Sequence, residues 1–544
     1  MLLASVVFPM ANANAAQAST ASTQSPIKHT IVIYQENRSF DSYFGTYPNA
    51  SGFKSLPGTP SVNGIPMDSF NLDENGNKVT PWLAPNNDQT LDVNHHYDAM
   101  MKAVDNGKMD QFYMQSELNA KGSGTIAMSY NDYHNIPAYW QYAQHYTLAD
   151  NWYQPVYGPS TPGALYLVAA QSGAKDKPIT GDPGPKNNFG GDAKWPGINY
   201  NLTYKNIGDE MTDKNISWGW YQGGYAAKDD SYSAHHNPFQ YFQNYEDGKY
   251  NNNLKDYNDF AKDVDNGTLP TVAFVKGAYG DDEHPGKGNQ STPGSEDFSV
   301  KTINKIMSSK YWNDTAIVIT YDESGGYWDH VAPPQVTPGP DGLQGEGPRI
   351  PAIVISPYAK ENYVSHVQYD TTSILKFIEW NYGLQALNNR DANASNMLDM
   401  FNFDHPNFTP YIYSMSNDTP VSQFGTAVKV SVNNAPMSAS MAGQGAFIGV
   451  DGKTKLPLLD LARSLNADLS YDAQSRMISM MYNHHLIQFT LGSNSVIVDG
   501  QEKMMTTKLW ISSMGHAYIS ADSLSIISGI TTSSNSLQLT IETN

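Results

Sequence analysis

Four short, unbroken apolar runs stand out between residues 30 and 356. They are TIVIY (Thr30 to Tyr34), TVAFV (Thr271 to Val275), TAIVIT (Thr315 to Thr320) and PAIVIS (Pro351 to Ser356). Continuous apolarity at this length is typical of strands buried on both faces, as in a parallel sheet covered by helices. Helix-like segments such as DFSVKTINKIMSSKYW and TTSILKFIEWNYGL lie between and after them. The alternation predicts an α/β fold.

The pattern changes after about residue 410. Residues 415–444 are rich in Ser, Asn, Ala, Met and Gly, which predicts a linker. Beyond it, residues 455–480 and 517–541 share one plan, namely a short strand, an Asp-containing amphipathic helix and a β-rich run. We therefore predict a large α/β domain over residues 28–410 and a small α+β domain over residues 445–544.

Composition narrows the possible partners and the compartment. The 544 residues carry a formal net charge of −20, which argues against a nucleic-acid partner because phosphate-backbone binding needs clustered Lys and Arg. There is no cysteine, so disulfides and Cys-ligated zinc are excluded. The N-terminal apolar stretch with Ala-x-Ala triplets predicts a signal peptide over residues 1–17, with a disordered apolar tail as the alternative. No later run approaches the ~20 apolar residues of a membrane span, so we expect a secreted or cell-wall-associated protein.

Carboxylate and amide residues come directly after two of the apolar runs. Glu36 and Asn37 follow the first run, and Asp322 and Glu323 follow the third. In parallel sheets ligands bind outside the carboxyl ends of the strands, so we expect these four side chains to converge. Crowded carboxylates are costly unless a cation offsets them, and oxygen ligands suit Ca²⁺, Mg²⁺ or Mn²⁺ better than zinc or copper. The alternative is that they are solvated loop residues paired with Arg38 or capping helices.

Histidines form a second group of candidates, all in loop-like contexts rather than on apolar faces. They are His95, His96, His235, His236 and His284. Histidine can bond an anionic group or give a proton to a leaving oxygen near neutral pH. Any one of them could instead be structural, but their repeated placement in Asp-, Asn- and Pro-containing loops favours a shared cleft.

Ser160, in YGPSTPGALYLVAAQSG, has two possible roles. Serine before an apolar helical run is a good N-cap, and Pro162 is tolerated in the first turn. A helix N-terminus is also an anion site, where a phosphate is favoured. If the carboxylate rim faces this helix, a bound ion could activate the hydroxyl and polarise a phosphoryl oxygen. A capping serine would then be aimed where a phosphoester binds.

Together these residues resemble the phosphoesterase family that holds bacterial acid phosphatases and the non-zinc type of phospholipase C, within the alkaline-phosphatase-like superfamily. The resemblance covers roughly residues 28–406 and implies a doubly wound, mostly parallel sheet. Its motifs, in order, are ENRSFDSYFG, GKMDQF, GPSTPGALYL, HHNPFQYF, DDEHPG, YDESGGYWDHVAPP and GPRIPAIVISPYA. The C-terminal domain resembles the stalk-type N-terminal domain of copper amine oxidases, which implies an accessory unit.

The resemblance also implies roles for individual residues. Ser160 would be the nucleophile, and the phosphoryl group would be surrounded by His95, His236 and His284. The implied metal ligands are Glu36, Asn37, Ser160, Asp322 and Glu323. The implied substrate contacts are His235, Asn37, Asp329 and His330. We therefore expect a secreted, metal-dependent phosphoric-ester hydrolase of the acid phosphatase type that acts through a phosphoserine.

Two alternatives remain open. Phospholipase C members carry Thr-x-Pro-Asn-Arg around the nucleophile, whereas this chain has Ser-Thr-Pro-Gly-Ala, which argues against phospholipid specificity without excluding it. Abundant Tyr and Trp could still line a pocket for a choline or ethanolamine head group. The second alternative is a non-catalytic protein that binds the cell envelope through its C-terminal domain.

Overall fold

The structure is a computed structural model. It describes residues 22–47, 50–51, 61–62, 65–66, 70–84, 92–132, 135–186, 188–194, 197–285, 296–413, 421–422, 425–437, 445–448, 453–472, 475–511, 517–527, 529–535 and 538–543. The predicted signal peptide, residues 1–17, lies outside the described residues.

An eight-stranded sheet forms the centre of the larger domain. Its strands, in chain order, are β1 (His29–Gln35), β2 (Thr147–Ala149), β3 (Trp218–Gln222), β4 (Leu254–Asp256), β5 (Val272–Lys276), β6 (Thr315–Tyr321), β7 (Ala352–Ile355) and β8 (Tyr363–Ser365). They lie in the order β4-β3-β5-β1-β6-β7-β2-β8, and only β7 runs antiparallel to its neighbours. The mostly parallel sheet is confirmed, and the four apolar runs are β1, β5, β6 and β7.

The remaining strands of the sheet are short and lack a continuous aliphatic run. β3 has the sequence WGWYQ and β2 has only three residues, so apolar periodicity did not reveal them. β2 and β3 are nevertheless fully buried, because helices cover the sheet. Two-residue strands outside it are Ser61–Val62, Ile65–Pro66, Asn71–Leu72, Lys78–Val79, Trp82–Leu83, Ser129–Tyr130, Trp152–Tyr153, Gly173–Ala174, Lys177–Pro178 and Tyr369–Asp370.

Twelve α-helices are described in the larger domain, and the two helices predicted from amphipathic segments are among them. They are α1 (Phe40–Phe44), α2 (Tyr97–Val104), α3 (Phe112–Asn119), α4 (Ser123–Ala127), α5 (Pro137–His145), α6 (Ser160–Ala169), α7 (Ile207–Asp213), α8 (Gln243–Glu246), α9 (Tyr257–Asn266), α10 (Asp297–Met307), α11 (Thr372–Tyr382) and α12 (Asn389–Ala392). α10 buries Ile303 and Ile306, and α11 buries Ile374 and Ile378 in the core. Apolar residues at a spacing of three or four therefore produced the expected buried faces.

The register of the central strands brings the candidate residues to one edge. Gln35 pairs with Tyr321 at the carboxyl ends of β1 and β6, so Glu36 and Asp322 leave the sheet side by side. On the other side of β1, Ile33 pairs with Val275, which places Lys276 at the same edge. This is the edge at which open α/β sheets bind ligands.

The C-terminal domain has its own apolar core, drawn from Val428 to Ile541. It contains helix α13 (Leu458–Ser464), and its strands are Val421–Ser422, Gly425–Ala427, Lys429–Val432, Ala435–Pro436, Phe447–Ile448, Thr454–Pro457, Asp468–Asp472, Met477–Tyr482, His485–Thr490, Ser495–Val498, Gln501–Met504, Trp510–Ile511, Ala517–Ser520, Ile530–Asn535 and Gln538–Thr543. The predicted α+β class is confirmed. In the range 517–541, the predicted amphipathic helix is a 3-10 helix, Ala521–Ile526.

The range predicted as a linker, 415–444, is not wholly a linker. Lys429–Val432 pairs in parallel with Gln538–Thr543, so this part of the range belongs to a sheet of the C-terminal domain. Its low apolar content hid the strand, because only alternate residues, Val430 and Val432, are buried. The C-terminal domain therefore begins before the predicted residue 445.

Candidate active site

Ser160 is the first residue of helix α6, and its side chain does not cap that helix. Pro159 occupies the N-cap position. The Ser160 hydroxyl instead donates a hydrogen bond to Glu36 Oε2 at 2.8 Å, and Ser160 is 2% exposed. The Thr161 N–H of the first turn donates to Asp182 Oδ1 at 2.8 Å. The hydroxyl is thus directed at the carboxylate rim and away from its own helix.

The small residues at the start of α6 allow this close approach. A Cβ atom added to Gly163 would lie 2.5 Å from the backbone oxygen of Asp322, closer than any side chain can come. Helix α6 therefore packs directly on the loop that follows β6. This contact holds Ser160 against the site.

Three side-chain oxygen positions crowd together, and one of them is the Glu36 Oε2 that accepts from Ser160. The side-chain oxygen position of Asn37 lies 2.9 Å from Glu323 Oε1 and 3.1 Å from Glu36 Oε2, and the amide nitrogen position lies 3.3 Å from His284 Nε2. With the amide turned, its nitrogen donates to both carboxylates and its oxygen accepts from His284 Nε2. With a bound cation, the amide oxygen would face the carboxylates instead. Asn37 has a left-handed backbone conformation, φ 58°, which asparagine tolerates better than most residues.

Asp322 supplies a further free ligand atom. Its Oδ1 accepts the backbone N–H groups of Asn37 at 2.9 Å and Glu323 at 2.8 Å. Its Oδ2 is buried and accepts no hydrogen bond from any residue that the structure describes. An orphaned, buried carboxylate oxygen beside other carboxylates fits a hard divalent cation.

Electrostatics support the same interpretation. Burial and the neighbouring Asp322 carboxylate raise the pKa of Glu36 well above its usual range. Burial and Asp322 likewise raise the pKa of Glu323. Each shift expresses the cost of placing negative charges together away from water. The cluster is compatible with divalent metal binding because a cation removes that cost.

Two further residues of the site, Lys276 and Asp282, were not assigned from the sequence. Lys276 Nζ is bonded to Glu36 Oε1, and both side chains are buried. Burial opposes the charge of Lys276, but the Glu36, Asp322 and Asp282 carboxylates raise its pKa above the usual value. The available signal was position: Lys276 directly follows the apolar run Thr271 to Val275, at the same edge of the sheet.

The histidines lie around this cluster. His236 Nδ1 is 3.3 Å from Glu36 Oε1 and 3.7 Å from Asp282 Oδ2. His95 packs edge-on against His284, with 6.1 Å between the ring centroids. His235 packs against His236, with 4.1 Å between the centroids, and its Nδ1 is 2.7 Å from Asp192 Oδ2. Asp192 was not predicted, but it orients His235.

Asp329 and His330, predicted to contact substrate, are bonded to a different set of residues. Arg349 Nε is 2.9 Å from Asp329 Oδ1, and its Nη2 is 2.8 Å from Asp41 Oδ1. His330 Nδ1 is 2.6 Å from Asp41 Oδ2. The structure thus assigns both residues to a buried ion-pair network. Their predicted contact with substrate stays a prediction.

Comparison with known proteins gives the family. The model of the phosphoesterase family matches residues 27–385, which is most of the chain and includes every candidate residue above. The chain belongs to the phosphoesterase family. The copper amine oxidase N-terminal domain matches residues 431–543, so both predicted resemblances are confirmed. Membership makes the protein a hydrolase of phosphoester bonds, and the non-catalytic alternative is wrong.

The curated relatives of this phosphoesterase are named phospholipases. The non-hemolytic phospholipase C of Burkholderia pseudomallei is 26% identical over 435 residues, or 70% of this chain and 59% of that protein. Phospholipase C B of Mycobacterium tuberculosis is 26% identical over 481 residues, or 77% of this chain and 88% of that protein. Non-specific phospholipase C6 of Arabidopsis thaliana is 25% identical over 413 residues, or 69% and 72% of the two chains.

Among the solved structures that the chain matches is a protein in the alkaline phosphatase superfamily from Vibrio parahaemolyticus. It is 9% identical, the match covers 90% of this chain and 85% of that chain, and the TM-score is 0.33.

Within the described residues of this phosphoesterase, no helix has the length and apolarity needed to cross a bilayer.

Proposed function

We propose that this phosphoesterase hydrolyses phosphomonoesters through a phosphoserine at Ser160. The observation that carries the proposal is the 2.8 Å hydrogen bond from the buried Ser160 hydroxyl to Glu36 Oε2, within a cluster of carboxylates and histidines. A hydroxyl bonded to a carboxylate at the start of a helix is oriented for nucleophilic attack.

The metal would be held by Glu36, Asn37, Ser160, Asp322 and Glu323. We propose Ca²⁺, Mg²⁺ or Mn²⁺, because all five offer oxygen ligands. When bound, such an ion would supply positive charge to the phosphoryl oxygens and to the serine oxygen.

The chain's own residues perform the remaining steps. Ser160 Oγ attacks phosphorus in line with the ester oxygen while Glu36 Oε2 receives the hydroxyl proton. His95, His236 and His284 bond the equatorial oxygens, and one of these histidines gives a proton to the leaving alcohol. Water then attacks the phosphoserine. The histidine that protonated the alcohol accepts a proton from this water, Glu36 returns its proton to Ser160 Oγ, and phosphate leaves.

Steady-state hydrolysis of p-nitrophenyl phosphate from acid to alkaline pH tests this assignment. We expect Ser160→Ala to lower kcat by about a thousandfold or more and to retain most metal binding. Ser123→Ala is the matched control, because Ser123 also begins a helix but donates to Ser116 O outside the site. Near wild-type turnover in Ser160→Ala would remove the nucleophile assignment.

The second candidate is a phospholipase C that acts on choline or ethanolamine phospholipids. The names of the relatives favour it. Gly163 and Ala164 stand where those enzymes are expected to carry Asn-Arg, which favours the monoester instead. A higher kcat/KM for p-nitrophenylphosphorylcholine than for p-nitrophenyl phosphate would assign this chain to the phospholipase type.

We also propose that the protein is secreted and contacts the cell envelope through its C-terminal domain. The Ala-x-Ala triplets near the N-terminus and the copper amine oxidase N-terminal domain match support this proposal. Sedimentation with purified cell envelopes tests it. The full-length chain should co-sediment and a chain ending at residue 413 should stay in the supernatant; equal sedimentation would contradict the proposal.

A further inference from the structure

Lys276 is a buried cation within the site. It is 1% exposed, and its Nζ is bonded to Glu36 Oε1. Tyr34 O lies 3.4 Å from Nζ, and the ammonium lies over the Tyr34 ring, 5.2 Å from the centroid. A buried charge is tolerated only when it is paired, so the Glu36 carboxylate holds this ammonium at one position.

The two oxygens of Glu36 face different groups. Oε2 accepts the hydrogen bond from Ser160 and lies 3.1 Å from the Asn37 amide, on the side of Glu323. Oε1 faces Lys276 and His236. One carboxylate therefore borders two places where a cation could bind.

The Oε1 side has a possible ligand set of its own. Ligand atoms of Glu36, His236 and Asp282 all lie within 4.8 Å of one another, and all three side chains are buried. Two-metal phosphoryl-transfer sites hold their ions about 3.5–4 Å apart, so one carboxylate can serve both. In this chain the Lys276 ammonium is bonded to the Glu36 oxygen that a second ion would need.

We propose that Lys276 takes the place of a second metal ion, so that the site binds one divalent ion, on the Oε2 side of Glu36. The inference rests on the proposed metal dependence. A fixed ammonium offsets part of the carboxylate charge and keeps Glu36 Oε1 bonded, which leaves Oε2 to the ion and Ser160. Lys276 is thus a positioning residue that acts through Glu36.

The test counts Mn²⁺ bound to the full-length chain after equilibrium dialysis and records its electron paramagnetic resonance spectrum. The wild type should bind one ion per chain, with the hyperfine spectrum of isolated Mn²⁺. Lys276→Met should bind two, with the broadened spectrum of coupled ions. Adding Asp282→Asn to Lys276→Met should restore a count of one, because it removes a ligand of the second position.

Two control variants separate charge from fold. Lys276→Arg keeps the positive charge and should bind one ion. Lys255→Met is the control: Lys255 also lies on a strand of the sheet, pairs with Asp263 at 2.7 Å and lies over the Tyr221 ring, but outside the site. It should also bind one ion.

Several outcomes would overturn the role of Lys276. Two Mn²⁺ ions bound to the wild type would overturn the role of Lys276, even if no variant folded. A folded Lys276→Met chain that binds one ion and has the same spectrum as the wild type would also overturn it. Turnover in a wild type that binds no Mn²⁺ would overturn it and leave the hydrolase standing. The wild type could bind one Mn²⁺ ion and Lys276→Met two, while the wild type does not hydrolyse phosphomonoesters. This result would support the role of Lys276 and reject the proposed substrate.

Discussion

At the scale of single residues, the chemistry depends on which atoms face one another. Ser160 satisfies the sequence criteria of a helix cap, yet its hydroxyl bonds Glu36 rather than a backbone N–H of its own helix. Asp322 uses one oxygen to hold two backbone groups and leaves the other free among carboxylates. A buried carboxylate oxygen without a hydrogen bond costs stability, and costs of this kind are common at functional sites.

Asp322→Asn should therefore raise the stability of the metal-free chain and reduce the stability that metal adds. Without metal, the loss of one crowded charge should raise the free energy of unfolding by about 1 kcal/mol, since both backbone bonds to Oδ1 can persist. With Mn²⁺, the variant should gain less stability than the wild type because a ligand is lost. Differential scanning calorimetry in chelator and in Mn²⁺ measures both effects.

Asp314→Asn is the matched control for this experiment. Asp314 pairs with Lys28 at 3.1 Å, away from the site, so its removal should not alter the gain from Mn²⁺. An Asp322→Asn chain that loses stability in chelator and keeps the full gain from Mn²⁺ would show that Asp322 is not a ligand.

At the scale of elements, the site is made where several segments end or begin. Parallel β1, β5 and β6 deliver Glu36, Lys276 and Asp322 to one edge, and helix α6 delivers Ser160 to it. The position of α6 depends on the absence of a side chain at Gly163. Precision of the site therefore requires the helix to pack directly on the loop after β6.

Gly163→Ala should push α6 away from the site. The added methyl group would lie 2.5 Å from Asp322 O, which costs about 1–3 kcal/mol of stability. We expect kcat to fall on the order of tenfold to a hundredfold because Ser160 moves with the helix. Gly181→Ala, where nothing lies within 4 Å of the added atom, should leave kcat and Tm unchanged. Equal kcat in the two variants would contradict the packing argument.

A buried acid on α11 predicts a pH effect on stability. Burial and the Asp391 carboxylate raise the pKa of Glu379 to about 10. The unfolded chain releases this proton near pH 4.3, so the folded chain holds more protons between these values. The free energy of unfolding therefore falls as pH rises from about 4.3 towards 10.

Glu379→Gln should remove this pH dependence. The variant should become more stable than the wild type by on the order of 2 kcal/mol at pH 8 and lose that advantage below pH 4. Urea unfolding at several pH values measures the difference. A constant difference across the range would show that Glu379 does not bind a proton on folding.

At the scale of the whole molecule, the two largest apolar cores of the described residues come from different parts of the chain. One is drawn from Ile27 to Phe401 and the other from Val428 to Ile541. All candidate catalytic residues belong to the first of these regions. The bounds 28–410 for the large domain stay a prediction.

A chain ending at residue 413 should therefore remain a catalyst. We expect its kcat/KM for p-nitrophenyl phosphate to stay within about twofold of the full-length value, because domains with their own cores fold alone. Its calorimetric trace should show one transition fewer than the full chain. A loss of kcat/KM by tenfold or more in a folded truncation would show that the C-terminal domain contributes to the site.

The sequence by itself determined the fold class, the order of the catalytic motifs and the residue types at the carboxyl ends of the strands. Local sequence patterns predict long aliphatic strands and amphipathic helices. The elements predicted in this way are β1, β5, β6, β7, α10 and α11. The proposed ligand set Glu36, Asn37, Asp322 and Glu323 followed from position after such strands.

Only the tertiary structure decided which side chains meet. Three features depend on contacts between residues 20 to 289 positions apart: the bonds of Asp329 and His330 in the Arg349 network, the place of Lys276 in the site, and the direction of the Ser160 hydroxyl. Such contacts leave no periodic signal in the chain. They arise because a buried charge is costly unless it is paired, and the partner is a residue that the fold brings close in space.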